Sequence, residues 1–119
     1  MKDLPVEALE QVAAYFRALS EPTRLHILSL LRTGERNVGE LAQLCDYTAA
    51  NISRHLSILH KHGLVKRESR GTSVYYRMAD ESVYALCDLV CGSIARQITQ
   101  TAGQRQAFVQ SAAQDNEPK

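Results

Sequence analysis

The chain has 119 residues, 45% of them hydrophobic and 23% charged, proportions that suit one soluble globular domain with a single core. No apolar run approaches the ~20 residues that span a bilayer, and Met1-Lys2-Asp3-Leu4-Pro5 lacks the apolar segment of a secretory leader. The expected setting is therefore cytoplasmic, with no membrane partner. The three cysteines, an odd number, exclude a complete disulfide framework.

The formal net charge of +1 conceals an asymmetry. Between Asn51 and Met78 the basic residues Arg54, Lys61, Lys66, Arg67, Arg70 and Arg77 face one acid, Glu68, a local charge of +5 that leaves −4 on the remainder. A face of that sign suits a module that meets phosphates, although a solvated basic surface has the same composition.

Taken in chain order, Leu9, Val12, Ala13, Phe16 and Leu19 form a stripe at helical spacing over Val6 to Leu19. Ser20-Glu21-Pro22-Thr23 breaks that helix and starts another, because proline is tolerated in a first turn. The second helix runs to about Arg32; Leu25, Ile27, Leu28, Leu30 and Leu31 make it a core helix buried on most sides. Thr33 to Arg36 reads as a loop. Asn37 followed by Glu40 resembles a capping box, opening a short helix that ends near Cys45-Asp46-Tyr47. Thr48 then caps a helix through Ile52, Leu56, Ile58 and Leu59 to a glycine stop at Gly63. Two short helices joined by a tight turn, the second polar on one side, make a helix-turn-helix. Leu64–Glu68 and Ser73–Met78 read as strands joined through Gly71, a basic hairpin in the position of a wing. A long helix follows from about Asp80, with Val83, Leu86, Cys87, Val90, Cys91, Ile94 and Ile98 on one arc. Residues 1–101 form the expected domain, mainly α with a small β-hairpin wing; residues 102–119 read as a polar, disordered tail.

The segments LSEPTRLHILSLL, VGELAQLCDYTAANISRHLSILHKHGLV and RGTSVYYRM, in this order, resemble the ArsR/SmtB family of bacterial metal- and stress-responsive repressors. The resemblance covers roughly Phe16 to Ile98. It implies a winged helix-turn-helix repressor and a homodimer in which the first and last helices pack on their counterparts. The two outer apolar stripes need covering in any case, by a second copy or within the monomer. Two-fold symmetry would match a palindromic double-stranded operator.

A recognition helix needs small polar side chains where it enters the major groove. Thr48, Ala49, Asn51, Ser53 and Arg54 meet that need, Thr48 and Asn51 for base edges, Ala49 or Ala50 for a thymine methyl. Arg54 suits a guanine or a phosphate, and His55 faces either the core or a phosphate. Lys61, Lys66, Arg67, Arg70 and Arg77 would anchor phosphates, with Arg70 at the wing tip reaching toward the minor groove.

For a signal the sequence is sparer. Asn37, Gly39 and Ala42 stand where the arsenic-sensing members of the family carry thiols. Asp80, Ser82, Ser93 and Arg96 stand at the zinc positions of the last helix, where an arginine repels a cation. Both family sites are thus absent. Cys87 and Cys91 remain, four apart on one helical face. Such thiolates suit arsenic(III) or another soft metal ion, or oxidation or persulfidation; within an apolar stripe they also pack as small hydrophobes. Cys45 stands alone, and His60, His62 and Asp46 do not make a ligand set. No cofactor is required. Nucleophile triads, glycine-rich phosphate loops and paired carboxylates are all missing, which argues against an enzyme. The remaining alternatives are a repressor with no small-molecule site and a winged-helix protein-interaction adaptor, although an adaptor would need neither the basic wing nor the polar recognition helix.

Overall fold

The computed structural model describes residues 1–99 and 108–109. The chain divides into two units, Met1–Asp80 and Glu81–Lys119, each taken by itself below.

The first unit opens with α1 (Val6–Leu19), which starts after the extended Pro5 and stops at Ser20. α2 (Pro22–Leu31) begins where the sequence breaks the first helix: the Glu21 carboxylate accepts the Arg24 backbone N–H at 3.0 Å, and proline occupies the first turn, where no N–H is needed. Arg36–Asn37, expected as the end of a loop, instead form a short strand, β1, that pairs with a later strand. α3 (Val38–Cys45) carries the complete capping box, with Glu40 N–H on Asn37 Oδ1 at 2.8 Å and Asn37 N–H on Glu40 Oε1 at 2.9 Å. Asp46 ends it in the left-handed region, at φ 54° and ψ 53°. That conformation costs most L-residues energy, but a short polar side chain tolerates it.

Thr48 then caps α4 (Ala49–Lys61), its hydroxyl accepting the Asn51 N–H at 3.2 Å. The end of α4 has both bonds of a Schellman motif: Leu64 N–H reaches back to Leu59 O at 2.9 Å and Gly63 N–H to His60 O at 3.0 Å. Gly63 makes this closure at φ +74°, a conformation a side chain would strain. β2 (Val65–Arg70) and β3 (Ser73–Met78) follow, joined by Gly71-Thr72 with Gly71 at φ +63°. The antiparallel sheet has the order β1-β3-β2, with Arg36 opposite Tyr76 and Lys66 opposite Arg77.

The core of this unit centres on Ile27, Leu41, Ile52, Leu56, Leu59 and Leu64, contributed by α2, α3, α4 and the turn after it. α2 is less enclosed than its composition suggests. Ile27, Leu28 and Leu31 are buried, but Leu25 remains 41% exposed. On α1, Ala18 and Leu19 are buried, whereas Val6, Leu9 and Phe16 stay exposed.

In the second unit, α5 (Ser82–Ile98) begins two residues later than expected. Cys87 and Cys91 lie half-buried on one face, and Leu89 and Val90 are exposed. Apart from 108–109, the expected polar tail lies outside the described residues. No helix among the described residues is long and apolar enough to cross a membrane.

Asp46 ends α3 in the left-handed region, so a β-branched residue there should be costly. Asp46→Val is expected to lower stability by about 1–2 kcal/mol, while Asp46→Gly should not. Urea denaturation of the two variants checks this.

Candidate nucleic-acid interface

α4 has two chemically different sides because its apolar residues repeat at helical spacing. Ile52, Leu56 and Leu59 have no exposure, and His55 is only 3% exposed. Burying this edge turns Thr48, Ala49, Ala50, Ser53, Arg54 and Ser57 outward, with Asn51 half-exposed at the rim. The outward set is small and polar at the N-terminal end, which allows close approach to a base edge. Beside it lies an open groove of about 530 Å³ lined by Ala42, Gln43, Asp46, Tyr47, Thr48 and Asn51. Thr48 caps α4 as its position before the helix implied, and it also belongs to the exposed set. Its oxygen accepts the Asn51 N–H that caps α4, which leaves the hydroxyl hydrogen and one lone pair for other partners.

Lys61 stands exposed at the far end of α4, and Lys66 and Arg67 are exposed on β2. Lys66 lies directly opposite Arg77 in the hairpin register. Like charges across a strand pair repel, and a bound anion would relieve that repulsion. Glu68 offsets it in part, standing 4.0 Å from Arg77.

Two of the candidate contact residues, His55, for which the sequence leaves both the core and a phosphate open, and Arg70, are engaged by neighbouring groups. His55 is enclosed, its Nδ1 3.2 Å from the Arg24 guanidinium and 3.6 Å from the Glu21 carboxylate, with its ring stacked on Tyr47. It cannot present itself to a phosphate, because the helix face that carries it is the packed one. Arg70, expected as the free cation of the wing tip, is paired with Glu35 at 2.6 Å and with Glu68 at 2.8 Å, and lies over the Tyr75 ring. The hydrogen bonds it donates to these two carboxylates raise its pKa further above the ordinary arginine value. A phosphate at the tip would have to compete with them.

The reading of the sequence missed three partners. Ser57 extends the exposed polar face one turn beyond Ser53, a spacing that was visible in the sequence. Glu35 and Arg24 left no such signal, since each acts on a residue more than thirty positions away in the chain.

Cys87 and Cys91 sit on α5 as their spacing requires, while Cys45 is half-buried at the end of α3. Burial pushes the Cys45 thiol up, away from the reactive thiolate form. Among the described residues no group of three or more His, Cys, Asp or Glu side chains is placed to hold a metal ion.

Residues 21–67 match the family described as bacterial regulatory protein, arsR family. The chain is 40% identical over 88 residues to the HTH-type transcriptional regulator Rv0324 of Mycobacterium tuberculosis, covering 74% of this chain but only 39% of that one. It is 36% identical over 88 residues to the cadmium resistance transcriptional regulatory protein CadC homolog of Staphylococcus aureus, covering 73% of each. Its fold is similar to the solution structure of a homodimeric winged helix-turn-helix DNA-binding domain from Mycobacterium bovis, with TM-score 0.69 and 36% identity over 82% of this chain and 89% of that one. The match spans α2, β1, α3, α4 and the start of β2, and the chain belongs to the ArsR family of bacterial transcriptional regulators.

Proposed function

We propose that the chain is a dimeric repressor that lays α4 in the major groove of a palindromic operator and releases it in response to a thiol-directed signal. The observation that carries the DNA reading is the two-sided α4: one edge is locked in the core, and the other turns Ala49, Ser53 and Arg54 outward with Asn51 at the rim. Lys61, Lys66, Arg67 and Arg77 flank it as phosphate anchors. Arg70, held by Glu35 and Glu68, braces the wing rather than leading it into the minor groove.

The dimer reading is supported by apolar side chains left in solvent. Val6 is 66% exposed, Leu9 42% and Phe16 45% on α1, and Leu89 is 72% exposed on α5. Such residues on outer helices are what a second copy would cover, and the similar M. bovis domain is a homodimer. For the signal, one chain supplies two thiols on one face of α5. Pairing α5 across a two-fold axis would bring four together, a donor set suited to arsenic(III) or another soft ion, or to oxidation. The related CadC homolog is named for cadmium resistance.

DNA binding is tested by titrating labelled duplex from the chain's own promoter at several salt concentrations. Affinity is expected to fall steeply, with a slope near −0.9 per phosphate neutralised. A flat response, or a monomer in sedimentation at micromolar protein, overturns the reading. Base readout and phosphate grip should separate by mutation. Asn51→Ala and Arg54→Ala are expected to reduce discrimination between operator and random DNA by about 1–3 kcal/mol. Lys66→Ala and Arg67→Ala should weaken both nearly equally and lower the salt slope by about 1 each. For the signal, arsenite, cadmium or a persulfide donor should lower operator affinity of the wild type but not of Cys87→Ser/Cys91→Ser, whereas Cys45→Ser should respond as the wild type does. A normal response from the double variant would place the two cysteines among the packing residues.

A further inference from the structure

Arg24 is the point at which three segments of the first unit meet. Its Nε donates to Ala18 O at 2.7 Å and its Nη2 to Arg17 O at 3.2 Å, closing the C-terminal carbonyls of α1. Its backbone N–H binds Glu21, which starts α2. Its Nη1 points at His55 Nδ1 on α4, 3.2 Å away. A guanidinium only donates, so Nδ1 must accept, and His55 is held as the neutral tautomer with its proton on Nε2.

Building on the DNA-binding reading above, we propose that Arg24 and His55 form a proton-sensitive brace that positions the recognition helix on the α1–α2 corner. Neither residue touches DNA; both act through the placement of α4. A proton arriving from solvent at Nδ1 turns the acceptor into a donor. The hydrogen bond to Arg24 is then lost, and the imidazolium faces two like charges, Arg24 from α2 and Arg54 on its own helix. The only described carboxylate beside it is Glu21, at 3.6 Å, whose oxygen is already engaged by the Arg24 N–H. Tyr47, from the turn between α3 and α4, closes the ring's flat side. Against the upward push of burial, backbone hydrogen bonds from Arg24 and Thr23 and the nearby Arg24 charge hold Glu21 below its usual range, so it stays ionised.

The direction in pH follows from the environment. Burial holds the His55 imidazole below its ordinary 6.5, with Arg54 and Arg24 adding to the effect and Glu21 opposing it. A histidine whose folded pKa is depressed contributes fully above the unfolded value. Its contribution is lost as pH falls below 6.5 toward the folded value. Exposed histidines act in the opposite sense, since added positive charge tightens phosphate binding in acid. The brace therefore has a signature that surface charge cannot imitate.

The test measures anisotropy of a labelled duplex from the chain's own promoter at about pH 7.5 and about pH 5.5, for wild type, His55→Asn and His55→Leu. Asparagine keeps an acceptor near the Nδ1 position and does not take a proton in this range; leucine keeps the bulk and loses the acceptor. At the higher pH, His55→Asn should bind within roughly threefold of wild type and His55→Leu roughly tenfold more weakly, with its unfolding transition still cooperative. On acidification the wild type should lose roughly threefold or more in affinity relative to His55→Asn. Parallel pH profiles for wild type and His55→Asn overturn the brace, as does a folded His55→Leu that binds as wild type. If His55→Leu does not fold, the two remaining profiles decide. A wild type that binds no DNA at the higher pH overturns instead the DNA-binding reading on which the brace rests.

Discussion

Ile52, Leu56 and Leu59 lie on the inner edge of α4 with no exposure, packed in a core shared with Ile27 of α2 and Leu41 of α3. Each aliphatic side chain buried this way contributes about 1.5–3 kcal/mol. A helix turns about 100° per residue, so a slip of one position would push Ser53 and Ser57, or Asn51, into that core. The apolar edge consequently fixes the rotation of the helix, and the rotation fixes which polar side chains face outward. What the molecule offers to a groove is decided mainly by residues that never reach it.

This explains why so much was legible beforehand. The helices of the first unit follow apolar spacing and caps that are local in sequence, such as Asn37 with Glu40 and Thr48 with Asn51. The helix-turn-helix and its wing could therefore be placed from residue order alone. β1 could not, because Arg36 and Asn37 have no strand character of their own and exist as a strand only through pairing with Tyr75 and Tyr76. His55 illustrates the same limit at the candidate site. Its position on α4 was clear to within a turn, but its fate depended on Arg24, 31 positions earlier. Arg70 was similarly decided by Glu35, a residue that lies in an unremarkable loop segment.

The charge count also reads differently once folded. Among the described residues, no carboxylate pairs with Lys61, Lys66 or Arg67, whereas Arg70 is shared by two. Exposed ion pairs contribute little to stability, so the effect of Glu35 and Glu68 is chiefly to remove one cation from the available set. The positive face is therefore concentrated at the foot of the hairpin and the end of α4 rather than spread to the tip. That distribution would draw a polyanion toward the helix instead of toward the wing's extremity.

Among the described residues, the strand order β1-β3-β2 leaves β2 with a neighbour on one side only. Its outer rim is an unpaired row of amide and carbonyl groups, the kind of border that recruits strands from other molecules. The residues along it, Lys66, Arg67, Glu68, Ser69 and Arg70, are all exposed, and four of the five carry charge. Charged side chains are what keep such borders from zipping together. The same lysine and arginines thus guard solubility while the chain is dispersed, and replacing them with apolar residues would trade a polyelectrolyte contact for a self-templating one.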